Sequence, residues 1–236
     1  MRICPWCASQ NRDDSNYCGE CGKLLLPQQG PEVIWDISHG PFITCDPRVP
    51  SSEYSGFAQF IRDSGYTLDI STAQLAPDIL AGKVAVVVLV TTAWRRPYSE
   101  EESALLADFV RQGGGLVACA ENRAVEQNAN LDMLLAPLGV SVGLSREDSP
   151  VHDLNRHPIF DAVDGIRVTD WGKISAGGSL AAIAQDEDGN VFAGAGEVGE
   201  GRIVVMGDCS MWDNHHLLHN ARLASNLLAW LTKSNP

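Results

Sequence analysis

The sequence predicts an α/β protein with a mostly parallel sheet flanked by helices, preceded by a small cysteine-rich module. Three observations carry that expectation. Residues 84–90 are continuously apolar and mostly β-branched, as a central parallel strand buried on both faces should be. Between residues 84 and 120 a strand, a capped helix, a glycine turn and a second strand follow one another, the succession of a βαβ unit. Four of the seven cysteines lie ahead of all this, before residue 22.

Those four, Cys4, Cys7, Cys18 and Cys21, form a C-x2-C-x10-C-x2-C array. Each pair can turn as a knuckle that offers two sulfurs to one metal, and four thiolates suit tetrahedral Zn²⁺. So short a segment cannot build its own core, so metal binding must order it. Trp6 and Tyr17 can cover the site, and Gly19 and Gly22 leave amides free to donate to sulfur, whereas Ala8 follows the first pair. With no open coordination position, the expected cofactor is one structural zinc ion. Two disulfides are the alternative, but the cysteine count is odd and no charged-then-apolar leader opens the chain. A redox C-x-x-C would sit at a strand-to-helix junction, and no βαβ pattern surrounds these pairs. With Asn11 between the pairs and Lys23, Leu24 and Leu25 after them, residues 1–26 resemble the short zinc ribbons at the ends of many bacterial and archaeal proteins. The resemblance implies a small adaptor-like module.

Residues 27–31, with Pro27, Gly30 and Pro31, read as a linker, and 32–236 as the second domain. A strand is expected at 32–38, a helix at 53–63 closed by Gly65, and a strand at 66–70. After the 84–90 strand, Ser99 and Glu102 form a capping box. Leu105, Leu106, Phe109 and Val110 give that helix its apolar face, and Gly113, Gly114 and Gly115 stop it before a strand at 116–120. A short helix is expected at 131–138. Strands follow at 166–169, 180–185, 191–195 and 203–207, with a hairpin signal at 187–190, and the spacing of apolar residues over 217–231 predicts a closing helix.

A formal charge of −13 argues against a nucleic-acid phosphate backbone as partner, because such binding needs clustered Lys and Arg. Arg2, Arg12 and Lys23 supply little positive potential to the ribbon. No apolar run is long enough to span a bilayer. Thiolate ligands and the leaderless start favour a reducing cytoplasm.

Three features of the second domain carry a family resemblance: Asp36, Ile37, Ser38, His39 and Gly40 early; the Gly113, Gly114, Gly115, Leu116, Val117 turn and strand; and the late run from Gly201 through Met206, Gly207 and Asp208, followed by Asn214. They resemble the class I glutamine-amidotransferase-like fold. The branch is the one that includes trehalose-utilisation-type proteins, a gliding-motility transporter auxiliary subunit and the N-terminal domain of an intraflagellar-transport protein. The resemblance spans roughly residues 32–233. It implies a nucleophile elbow after the 116–120 strand, where the family count places Ala120 rather than Cys119, followed by Glu121 and Asn122. The histidine and carboxylate expected after the last strand are not clearly present, and His215 and His216 lack the required spacing. Cys119 is therefore expected to pack as a small hydrophobe, as are Cys45 and Cys209.

Ligands of open α/β sheets bind beyond the carboxyl ends of the strands, an edge that here carries Asp36, His39, Thr91, Thr92, Trp94, Glu121, Asn122, Asp208 and Ser210. Asp36, His39, Glu121 and Asp208 are the candidate ligand-binding residues, for a small polar molecule such as a sugar, or for a second metal on Asp36, His39 and Asp208. Against that stands the ordinary use of strand-end aspartates as caps and of a histidine before Gly40 and Pro41 to fix a turn. His215, His216 and His219 read as a solvated helix start, the acidic 186–188 segment as a solvated loop, and Trp171, Trp212 and Trp230 as core or rim aromatics. The expected function is a non-catalytic binding or scaffold protein with a protein partner. The alternative is a hydrolase or polar-ligand-binding enzyme that uses the strand-end carboxylates.

Overall fold

The computed structural model describes residues 2–3, 10–12, 15, 17–22, 30–39, 45–89, 96–121, 125–147, 149–151, 153–168, 170–175 and 177–233. In the N-terminal module, β1 (Arg2–Ile3) pairs antiparallel with β2 (Gln10–Asn11). The second domain then runs β3 (Glu32–Asp36), α1 (Ser55–Asp63), β4 (Thr67–Ser71), a single turn α2 (Pro77–Leu80), β5 (Lys83–Val88), α3 (Glu100–Arg111) and β6 (Gly115–Cys119). It continues through α4 (Val125–Leu135), β7 (Ser141–Glu147), β8 (Asp153–Leu154), β9 (Trp171–Ser175), β10 (Ala181–Gln185), β11 (Val191–Val198), β12 (Gly201–Met206) and α5 (Leu217–Leu231).

Eight strands make the main sheet in the order β4-β3-β5-β6-β12-β11-β10-β8, and β7 and β9 form a separate antiparallel pair. The five strands from β4 to β12 are parallel, and β11, β10 and β8 continue antiparallel. Strand alternation sorts the core into two clusters, one on each face. Val33, Trp35, Val87, Val117, Val204 and Met206 pack with Phe57 and Ile61 of α1 and with Leu223 and Leu227 of α5. Their neighbours Ile34, Val86, Val88, Leu116, Ile203 and Val205 pack with Leu106 and Val110 of α3 and with Leu131 and Leu134 of α4. The sheet is thus covered on both sides, as the continuous apolar run of β5 requires.

The capping box forms as expected: the Ser99 hydroxyl accepts from the Glu102 amide at 3.1 Å, and Glu102 Oε2 accepts from the Ser99 amide at 3.0 Å. Gly201 marks a close approach, since a Cβ there would lie 1.9 Å from the Val110 carbonyl oxygen at the end of α3. No helix among the described residues is long and apolar enough to cross a membrane.

The structure adds β7, β8 and β9, which the sequence did not predict, and departs from expectation at other points. α4 begins at Val125 rather than 131, and its last turn tightens into a 3₁₀ turn at Ala136–Leu138. Residues 166–168 are not in a strand, because Asn220 of α5 occupies the backbone groups of Arg167 that a neighbouring strand would use. In the 186–188 segment Glu187 and Asp188 are exposed, as a solvated loop requires, but Asp186 is buried: its carboxylate accepts from the amides of Asp188 and Asn190 at 3.0 and 2.8 Å and so builds the β10–β11 turn.

Candidate functional site

The parallel register pairs Cys119 of β6 with Met206 of β12, so the next outward-going chain on each strand brings Glu121 beside Asp208. Asp208 is fully buried and Cys209 nearly so, and ligand atoms of Glu121, Asp208 and Cys209 all lie within 4.8 Å of one another. Cys209 Sγ accepts from the Tyr54 hydroxyl at 3.1 Å and donates to Glu121 Oε2 at 3.5 Å. Asp208 accepts from the Ser210 amide at 3.2 Å and from the Ser210 hydroxyl. Glu121 is positioned by Asn128 of α4, whose side chain bonds both its amide and its carbonyl at 2.8 Å.

Burial pushes the Asp208 carboxyl up to about 7, with the Ser210 hydroxyl opposing the shift and the Glu121 charge adding to it. Burial likewise pushes the Cys209 thiol well above its ordinary value, and Glu121 and Asp208 raise it further. The cluster therefore presents a carboxyl that exchanges its proton near neutral pH beside a second carboxylate and a neutral thiol. Such a set can donate a proton to, or accept one from, a polar group that reaches it.

Asp36 and His39 lie elsewhere on the same edge. With β5 and β6 between β3 and β12, strand spacing alone puts Asp36 about 14 Å from Asp208. The structure therefore does not bring Asp36, His39 and Asp208 onto one ion. Asp36 accepts from the Ser38 amide at 2.9 Å and from the Tyr98 hydroxyl at 2.8 Å, and burial raises its pKa against those hydrogen bonds. His39 Nδ1 meets the Arg96 carbonyl at 2.7 Å, Nε2 meets Glu102 Oε1 at 3.0 Å, and the ring lies over Tyr98 with centroids 3.6 Å apart. Both ring nitrogens thus have oxygen partners, one on the backbone and one on a carboxylate. Glu102 Oε1 also accepts from the Leu75 amide at 3.0 Å. Burial works to raise the Glu102 pKa, but the Ser99 and Leu75 amides and His39 together hold it low. Thr91, Thr92, Trp94 and Asn122 lie outside the described residues.

Cys119, the last residue of β6, is buried, and Trp212 Nε1 donates to its sulfur at 3.4 Å. Burial pushes its thiol up to about 12 despite that indole hydrogen bond. Trp212 is itself fully buried and stacks on Phe57, with centroids 5.0 Å apart. It is a core aromatic.

In the ribbon, Cys4 and Cys7 lie outside the described residues, and Cys18 and Cys21 form the second knuckle. Cys18 Sγ is buried and accepts from the Cys21 amide at 3.5 Å and from Asn11 Nδ2 at 3.7 Å. Gly22 closes the turn at φ 71° by donating to the Cys18 carbonyl at 2.9 Å. A sulfur accepting from two N–H donors suits a zinc-bound thiolate, so the knuckle fits the metal that the spacing implies.

Sequence reasoning missed Tyr54, Tyr98 and the second role of Glu102. Glu102 was legible as a cap, but nothing local in the sequence ties it to His39.

Residues 3–25 match the family model described as a zinc-ribbon domain, and the ribbon is a zinc-binding one. No curated protein matches the chain. Among solved structures, the mmIFT52 N-terminal domain superposes with a TM-score of 0.69 at 14% identity, covering 86% of this chain and 99% of that one. A ThuA-like protein from Bacteroides uniformis gives 0.56 at 14% identity, with 88% and 95% covered. A glutamine amidotransferase from Thermotoga maritima gives 0.56 at 11%, with 86% and 99% covered. The second domain has the glutamine-amidotransferase-like fold that these structures share. Residues 51–228 match one further family model, and by that match the chain belongs to the family described as domain of unknown function DUF4350.

Proposed function

We propose that this protein is a non-catalytic, protein-contacting module. In this reading a ribbon at 1–26 is ordered by one structural zinc on Cys4, Cys7, Cys18 and Cys21. The linker 27–31 joins it to an amidotransferase-like domain, 32–236, without a working nucleophile, and the protein acts in the cytoplasm. The observation that carries the reading is the state of Cys119. The elbow that the resemblance implies falls on Ala120, which carries no nucleophile, and the neighbouring Cys119 sulfur is buried, protonated to about pH 12 and hydrogen-bonded by an indole. A thiol in that state is a poor nucleophile at neutral pH. The charge of −13 favours a protein over a nucleic acid as partner.

The test is a glutaminase assay on the zinc-loaded protein and its Cys119→Ala variant. Neither should release ammonia from glutamine, and the variant should keep any partner binding. Ammonia release that disappears in the variant would sink the proposal.

The proximity of Glu121, Asp208 and Cys209 favours a second reading, a strand-edge site for a small polar ligand in which Asp208 carries the proton. Under it Asp208→Asn abolishes ligand binding or turnover, whereas Asp36→Asn and changes at His39 act only through stability, because those side chains are engaged with Tyr98, Arg96 and Glu102.

A further inference from the structure

A groove of about 570 Å³ shares no lining residue with the strand-end cluster. Pro150, Val151 and Leu154 contribute to its lining, with residues 164–168 and His219 of α5. Leu154 belongs to β8, the edge strand of the main sheet. The Asn155 amide donates to the Ile183 carbonyl at 2.9 Å, and Leu154 pairs with Ala184 of β10. Bonded and non-bonded pairs alternate along an antiparallel ladder, so the amide and carbonyl of Leu154 point away from β10.

Among the described residues, the 164–168 stretch offers a second open edge. Asn220 Oδ1 accepts from the Arg167 amide at 3.0 Å, and Asn220 Nδ2 donates to the Arg167 carbonyl at 2.9 Å. One side-chain amide can satisfy both backbone groups of a residue only if that residue is extended. In extended chain the flanking residues direct their backbone groups the opposite way, so those of Ile166 and Val168 turn away from α5. Among the described residues, neither Ile166 nor Val168 makes a backbone hydrogen bond. Their half-buried side chains, with that of Leu154, pack on the core and hold both edges in place.

We propose that this groove takes up an extended segment of a basic partner protein by β-addition, with main-chain hydrogen bonds to Ile166, Val168 and the β8 edge. Backbone groups left open along an extended edge are matched most completely by another extended backbone. The choice of a basic segment follows from the long-range field of a chain of net charge −13, which attracts a cationic partner, since Asp164 and Arg167 in the lining offset one another. Alternate residues of the segment would set apolar side chains against Val151 and Leu154 and leave basic ones facing solvent. The inference deepens the protein-contacting reading and rests on it for the class of partner.

The test uses the full zinc-loaded chain and a labelled hexapeptide that alternates valine and lysine, followed by anisotropy and amide exchange. Binding should saturate, and N-methylation of either alternate set of peptide amides should weaken it roughly tenfold or more. A valine–glutamate peptide should bind more weakly still. On saturation the amides of Ile166 and Val168 should exchange roughly tenfold more slowly, while Arg167, already bonded to Asn220, should change little. Ile166→Pro should weaken binding to a similar degree, and the exchange pattern of the unaltered protein gives the same information without any substitution. No saturable binding, equal binding of the N-methylated peptides, equal binding of the acidic peptide, or unchanged exchange at Ile166 and Val168 would each overturn the proposal. The two readings fail separately. Cys119-dependent ammonia release overturns the non-catalytic one whatever the peptide does, and an inert groove leaves the glutaminase result untouched.

Discussion

The indole nitrogen of Trp212 donates to the sulfur of Cys119 at 3.4 Å, deep in the core beneath the end of β6. Trp212 follows β12 and Cys119 ends β6, so the contact ties together two neighbouring strands at the edge where this fold can carry chemistry.

Cys119 should therefore resist alkylation. With its pKa near 12, roughly one molecule in ten thousand holds a thiolate at pH 8, and burial denies access even to that. Iodoacetamide at pH 8 should leave Cys119 unlabelled in the native protein and label it fully in urea, as read by peptide mass. Trp212→Ala should cost about 3–5 kcal/mol in urea unfolding, through the cavity it leaves beside Phe57 and Cys119. A native protein labelled as fast as the denatured one would mean that Cys119 is accessible and ionisable.

Asp208 gives stability a pH dependence of unusual sign. Its folded pKa of about 7 lies above the ordinary 3.8, so between those values the native state holds a proton that the unfolded state has lost. Stability should fall as pH rises through that window, by up to about 4 kcal/mol for a shift of that size, and level off above it. Asp36, also raised by burial, acts in the same direction. Asp208→Asn keeps an acceptor for the Ser210 amide and removes the charge, so the variant should be more stable than the parent at pH 8 and have a shallower slope between pH 5 and 8. Urea titrations across that range provide the check, and an unchanged slope would assign the dependence to other groups.

What could be read from the sequence was what repeats locally. The β-branched run of β5, the capping box of α3 and the apolar spacing of α5 each record their own structure in consecutive residues, and each formed where expected. The strand expected at 166–169 did not form over its described residues, 166–168, because the decision rests with Asn220, far along the chain. The strand-end residues were identified one by one, yet their grouping depends on strand order. Glu121 meets Asp208 because β6 and β12 are neighbours, and Asp36 stands apart because β5 and β6 intervene. Nothing in the local sequence of either residue encodes that order. The zinc knuckle lies at the opposite extreme, since its geometry is carried by the spacing of two cysteines and the glycine after them.

Breaking the buried pair of His39 and Glu102 should cost more than an exposed ion pair would. Glu102→Ala strands the imidazole at 1% side-chain exposure and leaves the Ser99 and Leu75 amides without their acceptor. A loss of about 3–5 kcal/mol is expected. His39→Ala and Glu102→Ala together should cost clearly less than the sum of the two, which a double-mutant cycle in urea measures. Because the Glu102 carboxyl is held low in the folded state, this contribution is present above the ordinary carboxylate range and is lost as pH falls through the folded value. Additive losses would show that the two groups do not act as a pair.

Removing zinc should separate the two parts of the chain. Among the described residues Cys18 accepts hydrogen bonds from Asn11 and Cys21, but so short a segment has no core to keep it folded once the sulfurs are protonated. The sheet domain carries two extensive apolar clusters of its own. Metal release into a chromogenic chelator should report one zinc per chain, and Cys18→Ser should abolish it or weaken it sharply. In the chelated protein the amides of residues 18–22 should exchange at once, while the main thermal transition of the sheet domain stays within a degree or so of its starting value. A large drop in that transition would mean that the ribbon packs on the domain and that the two fold as one unit.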